Sequence, residues 1–161
     1  MLKNNKLILN SVLGFSIISL STAYYIQYIL GHEPCNLCLI ERVPYLAATI
    51  LVSLVFLINK FEKLIAGTVM LFFIFGALIS FYHVGIEQGF FNESLVCDLD
   101  DNNENLSKEN LLKQLESKQI ISCKEVTFRF FGLSLATINT IISIFLSGIM
   151  YRVIKNYGQN K

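Results

Sequence analysis

Residues 7–30 form a run of 24 positions without a charge. A helix of that length, rising 1.5 Å per residue, crosses a hydrocarbon core about 30 Å thick. Backbone amides inside lipid must find partners within their own segment, so such a run is expected to cross as a helix. Three more runs follow. Residues 39–58 carry only Glu41 and Arg42, both in the first turn, where long side chains reach the headgroups. Pro44 suits a position close to that turn. Residues 64–86 are interrupted only by His83 near their end, and residues 131–151 are followed by Arg152 and Lys155. The expected fold is an all-α membrane protein, a four-helix transmembrane bundle forming a single integral-membrane domain over 1–161. A mean hydropathy of +0.54 with 16% charged residues argues against a soluble domain. With 13 Phe, 7 Tyr and only 2 Pro, the composition argues equally against disorder. A formal charge of +1 leaves no footprint for nucleic acid.

The links are unequal: two are short, whereas residues 87–130 form a long loop dense in charge. Within it, Ser107 can cap a helix over 107–118 whose Leu111, Leu112 and Leu115 share a face, suited to the membrane surface; a solvated loop is the other reading. Lys3, Lys6, Lys60, Lys63, Arg152, Lys155 and Lys161 stand in the two ends and the middle link against Glu62 alone. The positive-inside rule therefore places both termini in the cytoplasm and the cysteine-bearing loops outside. A cleaved secretory signal, with 7–20 as its apolar region and Ser21-Thr22-Ala23 as its cleavage site, is the rival account. The apolar run continues to Leu30, which favours an uncleaved span.

The four cysteines make two unlike pairs. Cys35 and Cys38 form a CxxC at the mouth of the second span; Cys97 and Cys123 lie 26 residues apart in the outer loop. All fall on the side where disulfides persist. A CxxC commonly lowers the pKa of one thiol and so favours thiol–disulfide exchange. The plainer readings make the outer pair a structural staple, or gather all four cysteines around one zinc ion. Zinc is disfavoured, because a ribbon site calls for a second CxxC.

If the second helix begins by Cys38, Arg42 follows at i+4 on the same face, one turn deeper. A guanidinium there favours a thiolate and a reduced, anionic electron acceptor, and membrane position points to a lipid-soluble one. Alternatively, Arg42 snorkels and pairs with Glu41. His83, one turn from the outer end of the third span, can meet the same ligand or act as an interfacial hydrogen-bonder. Gly85 and Gly89 make a weak GxxxG signal. Most Phe and Tyr side chains are expected to face lipid or pack the bundle.

The segment Pro34-Cys35-Asn36-Leu37-Cys38-Leu39-Ile40-Glu41-Arg42, His83, Cys97, and Cys123 followed by Phe128-Arg129-Phe130-Phe131-Gly132-Leu133 together resemble the bacterial disulfide bond formation protein B (DsbB) family. The resemblance covers nearly the whole chain, and CxLCxxER after a first span is its most specific element. Tyr82 to Gly89 is similar to the form of this family in alphaproteobacteria. The sequence between Cys97 and Cys123 departs from better-known members.

The resemblance implies an inner-membrane enzyme that reoxidises a periplasmic DsbA-like thioredoxin-fold oxidase and passes two electrons to ubiquinone or menaquinone. It further implies that Cys97 forms the mixed disulfide with the partner, that Cys123 is its loop mate, and that Cys35 exchanges with the outer pair. Cys38 would then be the thiolate against the quinone ring, with Arg42 and His83 lining the quinone site and no metal required. A partner at about −120 mV cannot be reoxidised by an ordinary disulfide below about −300 mV, so an external oxidant must draw the exchange forward. A non-catalytic membrane module with a structural loop disulfide is one alternative. An enzyme of the vitamin K epoxide reductase type is another, but there the CxxC follows the loop pair, whereas here it precedes it.

Overall fold

The computed structural model describes residues 3–58, 61–92, 97, 123–124, 129–130 and 132–159. The surface helix expected over 107–118 lies outside the described residues. Helix α1 covers Lys3–Tyr28, α2 Asn36–Ile40, α3 Val43–Ile58 and α4 Glu62–Glu87. A short antiparallel hairpin, β1 Arg129–Phe130 with β2 Leu133–Ser134, leads into α5, Leu135–Gln159. Among the described residues, four helical segments are long and apolar enough to span a membrane, α2 and α3 counting together as one. The chain is a multi-pass four-helix bundle. Its last helix starts four residues later than the apolar run, because Gly132, at φ +82°, turns the chain through the hairpin first.

The second span is broken. Proline has no N–H, and its ring clashes with the carbonyl four residues back. For Pro44 that carbonyl belongs to Ile40, where α2 ends. Glu41 and Arg42 form the turn, with Arg42 N–H donating to Leu39 O at 3.2 Å, before α3 resumes. Pro44 also sits so close to α4 that a Cβ on Gly76 would lie 2.8 Å from its Cγ, so the bare Gly76 backbone is what admits the kinked turn.

Helix α4 packs extensively on α5, α3 on α4, and α1 on α3, while α1 and α5 meet less. Ala48, Val52, Val55, Val69, Phe73 and Met150 form the centre of the core. Large apolar side chains such as Ile18, Ile50, Leu57, Leu71, Leu78 and Phe145 point outward. A soluble protein would leave such a surface in water, whereas hydrocarbon accommodates it. The two ends of the chain meet, with Asn156 Nδ2 donating to Asn5 Oδ1 at 3.5 Å.

Helix α4 ends in a Schellman turn. Gly89, at φ +78°, donates its N–H to Ile86 O, and Phe90 N–H reaches Gly85 O at 2.8 Å. Phe91 folds back over Gly85, where any Cβ would strike its ring, and stacks on Tyr82 with centroids 5.5 Å apart. The weak GxxxG of Gly85 and Gly89 thus serves the end of α4 and seats the first residues of the long loop.

Candidate functional site

Cys35 is the N-cap of α2: its Sγ accepts the Cys38 backbone N–H at 3.2 Å, the geometry of a capping side chain. The two residues are joined as a disulfide with Cα atoms 5.1 Å apart. Cys97 and Cys123 form the second disulfide, with Cα atoms 5.9 Å apart. Both pairs belong to one buried cluster with Leu37 and Ile86, flanked by Ile79 and Tyr82. Cys97 is 7% exposed and Cys123 1%, so the loop disulfide is packed onto the bundle beside the CxxC.

His83 stands behind Cys35. Its Nε2 lies 3.7 Å from Cys35 Sγ, and its Nδ1–H donates to Glu41 Oε1 at 2.8 Å. The other Glu41 oxygen accepts Asn139 Nδ2 at 3.0 Å, and the same amide nitrogen donates to Ser80 Oγ at 2.6 Å. Tyr45 donates its hydroxyl to Asn139 Oδ1. Every hydrogen-bonding position of the Asn139 side-chain nitrogen is thereby engaged across α2, α4 and α5. Such a network inside an apolar bundle is stable only when its members are satisfied. Glu87 Oε1 also lies 3.8 Å from His83 Nε2.

Arg42 points away from its neighbour. Its Nη1 donates to Gln27 Oε1 of α1 at 2.7 Å, and its guanidinium lies 5.1 Å from the centre of the Tyr24 ring. The pairing of Arg42 with Glu41 considered from sequence is replaced by this arrangement, because the turn at 41–42 sends adjacent side chains to opposite walls. The i, i+4 relation of Cys38 and Arg42 fails for the same reason, since α2 has ended before Arg42. The two still face one cavity. It measures about 360 Å³, and its polar wall includes Cys35, Cys38, Glu41, Arg42, His83 and Asn139, with apolar residues of α1 and α5 around the rest. A second, apolar hollow of about 540 Å³ between α1 and α5 shares Phe15 and Ile142 with the first.

In the reduced CxxC the Cys35 thiol is drawn below the ordinary cysteine value. A hydrogen bond from Cys38 is the main cause; burial opposes it, and the hydrogen bond and charge of His83 add to it. The arrangement can hold a thiolate at the mouth of a membrane cavity and receive its proton on a neighbouring imidazole.

The structure brings Cys35, Cys38, Arg42 and His83 to one cavity and both disulfides to one cluster. Sequence reading missed Glu41 as a hydrogen-bonded carboxylate, together with Asn139, Tyr45, Ser80 and Gln27. Polar side chains inside apolar spans were the available signal.

A family model described as disulfide bond formation protein DsbB matches residues 5–152. A protein of Rickettsia prowazekii (strain Madrid E), described as uncharacterized, is 30% identical over 146 residues, covering 89% of this chain and 85% of that protein. No solved structure matches the chain.

Proposed function

Because the chain belongs to the family of disulfide bond formation protein DsbB, we propose that it is a quinone-dependent thiol oxidase of the bacterial inner membrane. It reoxidises a periplasmic DsbA-like thioredoxin-fold oxidase. Both termini lie in the cytoplasm and both cysteine pairs face the periplasm.

A partner thiolate attacks Cys97, forming a mixed disulfide and releasing Cys123. The partner's second thiol then resolves that bond, so the partner leaves oxidised and Cys97 and Cys123 are left as thiols. One of these attacks Cys35, freeing Cys38 as a thiolate. Its loop mate displaces Cys35 and restores the outer disulfide, leaving the CxxC reduced. His83 Nε2 holds the proton that Cys35 gives up, and Glu41 and Asn139 hold the imidazole in place.

A bound quinone supplies the sink for two electrons and two protons that re-forms the Cys35–Cys38 disulfide. The cavity fits such a group in size, in its apolar lining, and in having Cys38 and the Arg42 cation on its wall. Arg42 stabilises negative charge there, and the apolar hollow between α1 and α5 suits an isoprenoid tail.

The observation that carries this reading is the packing of both disulfides in one cluster beside that cavity. The test mixes the purified chain with a reduced DsbA-like protein and ubiquinone. One quinone should be reduced for each partner oxidised, and Cys38→Ser should abolish this. Partner oxidation without stoichiometric quinone loss would overturn the proposal.

A further inference from the structure

We propose that the reduced site binds a thiophilic divalent cation, zinc foremost, through Cys35 Sγ, Cys38 Sγ and His83 Nε2, and that the bound ion holds the dithiol in its reduced form.

The three donor atoms already lie within 4.8 Å of one another. With Zn–S near 2.3 Å and Zn–N near 2.05 Å, tetrahedral geometry sets sulfur and nitrogen about 3.6 Å apart. Cys35 Sγ and His83 Nε2 stand 3.7 Å apart. The two sulfurs must separate from bonding distance to about 3.8 Å in the same shell, a separation that reduction of the disulfide itself allows.

The surroundings of the imidazole match those of a metal ligand. Glu41 Oε1 accepts the Nδ1–H at 2.8 Å, which leaves Nε2 as the nitrogen that faces both sulfurs. A carboxylate behind a ligating histidine fixes its tautomer and raises its basicity. Glu41 is itself held by Asn139.

Charge agrees with burial. Zn²⁺ displaces two thiol protons, so two thiolates and a neutral imidazole give a complex with no net charge, suited to a site where Cys35 is 4% exposed and His83 3%. No electrons move. The disulfide offers no thiolate, so binding is confined to the reduced state. An all-cysteine shell is not required, because Cys97 and Cys123 are bonded to each other.

Metal binding does not depend on the quinone reading, and a failure to bind would leave that reading intact. The test uses the full chain in detergent, purified without a histidine tag and with Cys97 and Cys123 changed to Ser so that no other thiol contributes. Cobalt(II) is titrated into reduced and oxidised protein, then zinc is added. The reduced chain should take up one cobalt per molecule with thiolate-to-metal absorption that zinc abolishes, and the oxidised chain none. His83→Ala should weaken binding by at least about tenfold, Glu41→Gln by about 10- to 100-fold, and His83→Cys should restore it. Equal binding by oxidised and reduced protein, no thiolate–cobalt absorption in the reduced chain, or unchanged affinity in both His83→Ala and His83→Cys would overturn the proposal.

Discussion

The carboxylate of Glu41 and the imidazole of His83 are joined by a 2.8 Å hydrogen bond between two nearly buried side chains. It ties the turn after the CxxC helix to α4, and so fixes where Cys35 stands relative to its neighbouring base. Removing one partner of such a buried pair costs about 3–5 kcal/mol, whereas an isosteric amide keeps part of the hydrogen bonding. Glu41→Ala should therefore lower the thermal unfolding midpoint in detergent clearly. Glu41→Gln should remain near wild-type stability but oxidise its partner more slowly, by about tenfold. Thermal melting and partner turnover measured side by side check both, and an unaltered rate in Glu41→Gln would remove the carboxylate from the site.

The two disulfides share a cluster, yet the bundle core lies elsewhere, around Val52, Val69 and Phe73. Cys97→Ala or Cys123→Ala should thus abolish partner oxidation while helical circular dichroism stays unchanged. A variant that turned over at the wild-type rate would reduce the outer pair to a staple.

Arg42 is anchored on Gln27 and Tyr24 with its cation on the cavity wall. Removing a cation from a partly desolvated site should cost about 1–3 kcal/mol, which is about 5- to 150-fold in quinone affinity or reduction rate. Arg42→Ala should show that loss. Arg42→Lys should recover only part of it, because an ammonium lacks the planar fork that meets Gln27. Quinone titrations of both variants decide the matter, and an unchanged Arg42→Ala curve would show that the side chain only anchors α1.

In the reduced chain the Cys35 thiol should ionise near 5. A lowered value means the thiolate prevails above that pH and is lost as pH falls through it. Alkylation of Cys35 by iodoacetamide, followed by peptide mass spectrometry, should be nearly flat between about pH 6 and 8 and decline by about tenfold per unit below about 5. A rate that climbed tenfold per unit between pH 6 and 8 would identify an ordinary thiol.

Lys155 and Lys161 follow the last span, and Lys3 and Lys6 precede or open the first. A reporter fused after Lys161 should be active only if it works in the cytoplasm. Alkaline phosphatase activity from that fusion would invert the topology and move both cysteine pairs to the wrong compartment.

The spans were legible because length and hydropathy act within one segment, and the long helices overlap the apolar runs, the last extending past residue 151 to Gln159. The break between α2 and α3 was legible in principle, since Pro44 conflicts with the carbonyl of Ile40. It was read instead as a mere first-turn residue, which let Cys38 and Arg42 be placed on one uninterrupted helix. Their shared cavity survives because the turn redirects Arg42 toward α1 without removing it from the cavity wall. Asn139 was not legible as a site residue. It meets Glu41 across 98 positions of sequence, and only the packing of α5 against α4 brings it there. The directions of Glu41 and Arg42 likewise depend on backbone angles in a turn, which the order of two adjacent charges does not encode.

The near-complete burial of Cys97 and Cys123 has a further consequence. A small free thiol drifting past the membrane surface meets almost no exposed sulfur and cannot readily begin an exchange. Only a protein with enough surface to pry the covered disulfide away from Ile86 and Leu37 can do so. Under the proposed function, the packing that covers this disulfide would reserve the exchange for a client large enough to open it.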